Sequence, residues 1–240
     1  MHSIPIPILL TLHNLLTNYL FPVFCLACDE EGEWVCDECF RFLQPLVQLF
    51  CPICHASTSC GEVCNKCTGK SYLTGHIAAL KYKEDALIGK IIHILKYNYA
   101  EDVMSVIRRI LHEFIKINKD YFYKIDIIIP VPLHKKRYAE RGFNQAEYIA
   151  RVLSDELSIS MKNNILTRSL NTPHQAKLDR GGRLKNVEGA FSFTKFESIK
   201  EKHILLVDDV FTTGATMQAC ANILQKNGAS AVSACTLARG

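Results

Sequence analysis

The residues best suited to chemistry in this 240-residue chain are two adjacent carboxylates and the hydroxyl-rich turn that follows them. Asp208 and Asp209 come directly after the apolar run 204–207. A turn that leads into a helix presents backbone N–H groups and the positive end of the helix dipole, which together favour a phosphate. The acidic pair would repel that phosphate, so it suits a neighbouring diol or a hydrated Mg²⁺. A site for a phosphate and a site for a diol, separated by the width of one sugar, would fit a ribose 5-phosphate. The predicted phosphate-binding residues are Thr212, Thr213, Gly214, Ala215 and Thr216.

Two structural elements must position these residues. The uninterrupted apolar run 204–207 is typical of a strand buried on both faces of a parallel sheet. The periodic segment 217–224 predicts a helix after the turn. We expect Asp208 and Asp209 to lie at a solvent-facing strand end, so that replacing them would leave the core intact.

A second strand and loop carry the positive charge that such a ligand needs. Residues 126–130 predict another buried strand, and a helix is predicted at 146–157. The proline-stiffened loop between them holds Lys135, Arg137 and Arg141, which suit a pyrophosphate. Since ligands gather beyond the carboxyl ends of parallel strands, we expect this loop and the acidic pair to converge.

Four C-x-x-C pairs lie near the amino terminus and predict two structural zinc sites. Two such turns can direct four thiolates at one tetrahedral Zn²⁺. Pairing in sequence order and interleaved pairing are both compatible with the spacing, and Cys60 is a possible substitute for Cys64. Cys220 and Cys235 lie in apolar segments and are expected to be buried thiols. The eight predicted ligands are Cys25, Cys28, Cys36, Cys39, Cys51, Cys54, Cys64 and Cys67.

Composition indicates a medium-sized domain with a small appendage. The chain is 48% hydrophobic and 22% charged, with a net charge of +4. Residues 25–70 carry a net charge of −4 and residues 71–240 one of +8, which permits phosphorylated ligands or nucleic acid without requiring either. Residues 1–24 predict an amphipathic helix that packs on the protein. The thiol-rich composition and the lack of a signal-peptide pattern or a spanning segment predict a cytoplasmic protein with no membrane insertion.

Several blocks of sequence, in one order, resemble the ComF-type competence proteins of the type I phosphoribosyltransferase superfamily. Beside the Cys pairs and the 202–217 stretch, they are Leu95-Lys96-Tyr97, Pro130-Val131-Pro132-Leu133-His134, Arg141-Gly142-Phe143-Asn144-Gln145, Thr172-Pro173-His174-Gln175 and Asn186-Val187-Glu188-Gly189-Ala190-Phe191. The resemblance implies an α/β phosphoribosyltransferase core at 71–240 behind a double zinc ribbon at 25–70. It implies 5-phosphoribosyl pyrophosphate (PRPP) as ligand with Mg²⁺, and catalytic roles for Asp208, Asp209 and Arg183. The segment 172–186, with Arg183 and Gln175, would close over the substrates as a lid. A ligand role for Lys96 is implied by the resemblance alone.

The resemblance leaves two functions open. One is a phosphoribosyltransferase that transfers a pentosyl group to an unidentified acceptor. The other is a nucleotide-responsive adaptor that binds single-stranded DNA or a DNA-uptake helicase. Basic residues on the helix predicted at 102–117, and just after it, fit either a DNA track or a solvated helix face; they are Arg108, Arg109, Lys116 and Lys119.

The remaining pattern predicts strands at 77–82, 165–168 and 231–237 and a helix at 85–95. Residues Phe191–Phe193 are expected to re-enter the main sheet. Residues 69–75 are typical of a linker.

Overall fold

The computed structural model describes residues 22–97, 101–170, 189–194 and 198–240. The described helices are α1 (Asp37–Phe40), α2 (Leu87–Tyr97), α3 (Glu101–Ile117), α4 (Lys119–Phe122), α5 (Lys135–Arg141), α6 (Gln145–Leu157) and α7 (Ala215–Lys226). The described strands are β1 (Leu49–Phe50), β2 (Ser57–Thr58), β3 (Gly75–Lys81), β4 (Ile127–Pro130), β5 (Leu166–Arg168), β6 (Phe191–Phe193), β7 (His203–Phe211) and β8 (Ala231–Arg239). A short 3-10 helix covers Asn65–Cys67.

Four parallel strands form the central sheet in the order β3-β8-β7-β4. β7 lies between β8 and β4, with Val207 opposite Cys235 on one side and Pro130 on the other. This interior position explains why residues 204–207 are all apolar, because both faces of the strand are covered. β7 extends to Phe211, so it is longer than the apolar run predicts and contains the acidic pair.

Helices cover both faces of the sheet, which confirms the predicted α/β architecture. Alternate residues of β7 point to opposite sides: Leu205 and Val207 pack with α2, α3 and α6. Ile204 and Leu206 pack with α7, β5 and β6. Cys220 and Cys235 are fully buried, as expected. The carboxyl ends of β4 and β7 therefore meet at one edge, above a closed apolar core.

Two local predictions are wrong. Phe191–Phe193 pairs antiparallel with Leu166–Arg168 in a separate two-stranded sheet and does not re-enter the central one. The basic segment after β4 is not all loop, since α5 begins at Lys135. The His134 ring accepts a hydrogen bond from the backbone N–H of Lys136, which caps the start of this helix.

The cysteine-rich segment is packed against the sheet domain. Val35 and Leu43 belong to the same buried cluster as α2 and α3. Residues 69–75 are held by hydrogen bonds from Thr74 N to Val232 O at 2.8 Å and from Tyr72 N to Gln218 Oε1 at 2.8 Å. The boundary between 25–70 and 71–240 stays a prediction.

The predicted amino-terminal helix and the predicted lid lie outside the described residues. None of the helices in the described part of the chain combines the length and the apolar character that crossing a bilayer requires.

Candidate functional site

The predicted phosphate-binding turn lies between β7 and the start of α7. Gly214 adopts a left-handed conformation with φ of +74° and precedes α7, a helix of 12 residues. A side chain at this position would be blocked, because an added Cβ would lie 2.5 Å from Cζ of Phe211. Ala215 N donates to Thr213 Oγ1 at 3.4 Å, which shapes the turn. The first turn of α7 therefore directs its backbone N–H groups towards the space above the carboxyl end of the sheet.

Asp209 is buried and Asp208 is half-buried, contrary to the expectation of a solvent-facing strand end. Asp209 is 6% exposed, and its Oδ2 lies 2.5 Å from Nζ of Lys96. Burial raises the pKa of the Asp209 carboxyl, but the Lys96 charge outweighs it and holds that pKa below its usual range. Burial, followed by the charge of Asp209, raises the pKa of Asp208 well above its usual range. The two carboxyl groups therefore differ: both line the cleft, but Asp209 is paired with Lys96.

Three guanidinium groups lie opposite the acidic pair. Arg141 is 9% exposed, and its Cζ lies 5.2 Å from the centroid of the Tyr97 ring. Burial and the nearby charge of Arg141 lower the pKa of Arg137. Burial and the charge of Arg137 likewise lower the pKa of Arg168. Grouped positive charges that destabilise one another favour the binding of an anion.

One cleft of about 760 Å³ collects these groups. The whole turn from Thr212 to Thr216 lines it, together with the acidic pair and Lys96. Arg137 and Arg141 line it as predicted, whereas Lys135 is exposed and lies outside the cleft lining. Leu26, from the cysteine-rich segment, also borders the cleft. The candidate residues Arg183 and Gln175 lie outside the described residues.

The eight cysteines form two clusters in sequence order. Within each cluster the four sulfur atoms lie within 4.8 Å of one another. Cys60 is exposed and belongs to neither cluster. The sequential pairing and the choice of Cys64 over Cys60 are therefore the ones that the fold adopts. The clusters are Cys25, Cys28, Cys36 and Cys39, and Cys51, Cys54, Cys64 and Cys67.

The thiols within each cluster differ in pKa: hydrogen bonding with Cys28 raises the pKa of Cys39, and burial raises that of Cys67. Burial raises the pKa of Cys25, but hydrogen bonds from backbone N–H groups lower it by more. The resulting pKa is about 6. The same balance leaves the pKa of Cys51 at about 6. Four thiolates at this spacing match a closed tetrahedral zinc site, in which the metal would fix the surrounding loops.

The basic residues along and beyond α3 are mostly paired with acids. Arg109 Nη1 lies 2.6 Å from Asp37 Oδ1. Arg108 lies 3.7 Å from Asp155, and Lys116 lies 3.0 Å from Glu113. Lys119 belongs to α4. These contacts fit a helix face that packs and is solvated, and they weaken the case for a DNA track there.

The residue patterns by themselves do not indicate two residues of the site, although the family resemblance gives Lys96 a ligand role. The sequence around Lys96 indicates only an ordinary lysine at a helix end, and its pairing with Asp209 has no local signal. Arg168 ends β5 and lines the cleft. A charged residue at the carboxyl end of a strand is a usable signal, since that end of a sheet is where ligands bind.

A family model matches most of the sheet and of the site. The model described as "Phosphoribosyl transferase domain" matches residues 100–240. That span is more than half of the chain and contains β4, α5, β7 and the turn. The chain therefore belongs to the phosphoribosyl transferase domain family.

Two relatives match about nine-tenths of this chain and show which members of the family it resembles. "DNA utilization protein YhgH" of Escherichia coli (strain K12) is 30% identical over 229 residues, covering 91% of this chain and 97% of that protein. "Competence protein ComFC" of Bacillus subtilis (strain 168) is 29% identical over 253 residues, covering 90% and 95% respectively. With the two four-cysteine clusters, these matches confirm the resemblance to ComF-type proteins.

Solved structures give a weaker likeness. A hypoxanthine phosphoribosyltransferase from Staphylococcus aureus covers 55% of this chain and 61% of its own, with 17% identity and a TM-score of 0.36. The assignment of the fold therefore rests on the parallel sheet and the family model.

Proposed function

We propose that this protein binds PRPP in the cleft and transfers its phosphoribosyl group with release of pyrophosphate. The observation that carries the proposal is the convergence of the turn, the acidic pair and three guanidiniums around one cleft. Each group matches one part of PRPP: the turn suits the 5-phosphate, Asp208 the ribose diol, and Arg137 and Arg141 the pyrophosphate.

The residues would act mainly by positioning and charge neutralisation. Displacement at the anomeric carbon passes through a sugar-cation-like state, so no covalent nucleophile is needed. The guanidiniums would neutralise the charge that develops on the leaving pyrophosphate. Asp209 would hold Lys96 in place and leave Asp208 to face the ligand.

Magnesium fits the carboxylate that faces the cleft. Asp208 offers the oxygen ligands that Mg²⁺ prefers, whereas Asp209 is already engaged by Lys96. When bound with PRPP, the ion would neutralise part of the pyrophosphate charge. Zinc would have the structural role described above, and the free thiols fit a cytoplasmic location.

Calorimetric titration with PRPP, with and without Mg²⁺, tests the binding site. Asp208→Asn replaces the carboxyl group that would hold Mg²⁺ by an amide and should abolish Mg²⁺-dependent binding. Asp155→Asn, at an exposed carboxylate on α6, is the matched control and should bind as the wild type does. Pyrophosphate release should then be measured across amines, bases and DNA ends. Unchanged PRPP affinity in Asp208→Asn contradicts the proposed site.

A second function is favoured by the names of the relatives. Proteins called "DNA utilization protein" and "Competence protein" point to a role in DNA uptake, in which this chain would act as an adaptor for single-stranded DNA or for a helicase. Tyr97 is 53% exposed beside Arg141, and such an aromatic–cation pair suits base stacking. PRPP binding without turnover on any acceptor would favour this adaptor function over the transferase.

A further inference from the structure

Arg239 links the second cysteine cluster to the sheet domain. It ends β8 and is 7% exposed. Its Nη2 donates to Cys51 O at 3.3 Å and lies 2.7 Å from Nδ1 of His55, while Nη1 donates to Phe50 O at 3.5 Å. These partners are one cluster ligand and two residues near it. The guanidinium therefore binds the backbone of the loop that carries Cys51.

The same guanidinium reaches the residue that supports the phosphate turn. Phe211 is directly opposite Arg239 in the β7–β8 pairing, and the Arg239 Cζ lies 5.7 Å from the centroid of its ring. The ring is 1% exposed. The backbone of Gly214 rests on this ring, because a Cβ there would meet the Phe211 Cζ at 2.5 Å. The position of the ring thus sets the position of the turn.

A second connection to Phe211 comes from His76 of β3. The His76 ring stacks on Phe211 with centroids 3.9 Å apart and an interplanar angle of 22°. His76 N donates to Gly61 O at 2.9 Å, and Gly61 lies between the two halves of the second cluster. Arg239 and His76, which both contact the Phe211 ring, are therefore hydrogen-bonded to the segment that the second metal site would fold.

The first cluster makes its contacts elsewhere. Arg109 of α3 binds Asp37 and lies 3.8 Å from the centroid of Phe40. Lys90 of α2 donates to Leu26 O at 2.6 Å. These contacts reach α2 and α3, whereas the phosphate turn lies at the start of α7. The two clusters can therefore be tested separately.

We propose that the second cysteine cluster positions the phosphate turn through Arg239 and Phe211. Arg239 is in this sense a positioning residue: it touches no ligand and acts through the ring beneath Gly214. Loss of metal from the second cluster loosens the turn and weakens its ligand binding, whereas loss from the first cluster leaves the order of the turn unchanged. The inference rests on the proposed function only in so far as the turn's ligand is a phosphate.

Hydrogen exchange of the amides at 212–218, measured without ligand, is the direct test. Arg239→Lys keeps the charge and loses the forked contacts, and it should raise exchange at these amides about tenfold. Arg109→Lys is the matched control, since it weakens the corresponding link to the first cluster, and it should leave this exchange unchanged. Cys54→Ser and Cys28→Ser compare the two clusters in the same way, with zinc content measured for each variant.

Hydrogen exchange of the backbone amides in β4 reports whether a variant still folds. If Cys54→Ser unfolds the core, Arg239→Lys alone decides the question. Normal protection of the turn in folded Arg239→Lys overturns the proposal, and so does an equal loss of protection in folded Cys28→Ser. Titration with ribose 5-phosphate is the second readout, with about tenfold weaker binding expected in Arg239→Lys. If the wild type binds no ribose 5-phosphate, the proposed function fails, while the coupling is still judged by exchange.

Discussion

Replacing Lys96 by methionine should destabilise the protein in a pH-dependent way. The lysine Nζ lies 2.5 Å from Asp209 Oδ2, and the two side chains are 24% and 8% exposed. Removing one partner of a buried ion pair costs about 3–5 kcal/mol, because the other charge stays buried. Since a quarter of the Lys96 side chain is in contact with solvent, we expect the lower end, about 3 kcal/mol near neutral pH. For a chain of this size that free energy corresponds to a fall in Tm of about 6–12 °C.

The sign of the pH dependence follows from the two carboxyl groups. In the wild type the pKa of Asp209 is depressed, so its contribution to stability is present above the ordinary carboxyl pKa of about 3.9 and is lost as pH falls through the folded pKa. Without Lys96 the burial of Asp209 remains, and burial raises the pKa of this carboxyl group. The variant then takes up a proton in mildly acidic solution and recovers stability, because protonation removes the buried, unpaired charge.

Thermal unfolding followed by circular dichroism, at fixed zinc, measures the effect. The Tm difference between wild type and Lys96→Met should be larger at about pH 7.5 than at about pH 5. The double variant Lys96→Met/Asp209→Asn removes both charges and should recover most of the lost stability. An equal difference at both pH values, or a double variant as unstable as the single one, would refute the ion-pair reasoning.

Three further predictions concern the metal, the turn and DNA. The purified protein should hold about two zinc ions, and Cys28→Ser and Cys54→Ser should each leave about one by elemental analysis; a folded, metal-free protein contradicts this. Gly214→Ala should lose about 1–2 kcal/mol from backbone strain, and more from its clash with Phe211, as measured by thermal unfolding. Gly69→Ala is its control, because it shares a positive φ and meets nothing within 4 Å; equal losses would argue against the clash. Single-stranded DNA should bind weakly, with affinity falling steeply as salt rises and with competition from PRPP. If fluorescence anisotropy shows no binding at low salt, the adaptor function loses its main support.

Much of the site could be predicted because its signals are local. A strand buried on both faces appears as a continuous apolar run, and Gly214 supplies the conformation that the turn requires. The cysteine pairs likewise define their ligands by spacing. These features depend on residues close together in the chain, so the sequence alone carries them.

The features that could not be predicted depend on residues far apart in the chain. Asp209 of β7 can be buried because Lys96, which lies far away in the chain on α2, pairs with it. No pattern around either residue indicates that ion pair. The partner of Phe191–Phe193 could not be predicted either, since a three-residue strand fits the edge of any sheet. Choosing between sequential and interleaved cysteine pairing needed the three-dimensional path of the loops.

The order of the strands has a consequence for synthesis on the ribosome. β3 lies at the edge of the sheet and pairs with β8, which is made about 150 residues later, a delay of about 8–30 s at ordinary translation rates. During that interval the apolar β3 has no strand to pair with, and unpaired apolar strands are prone to aggregate. The cysteine-rich segment emerges before β3 and can take up metal at once. Its Val35 and Leu43 can then meet α2 and α3 as these helices emerge. A zinc-loaded amino-terminal segment is thus placed to shelter the nascent domain until its sheet is complete.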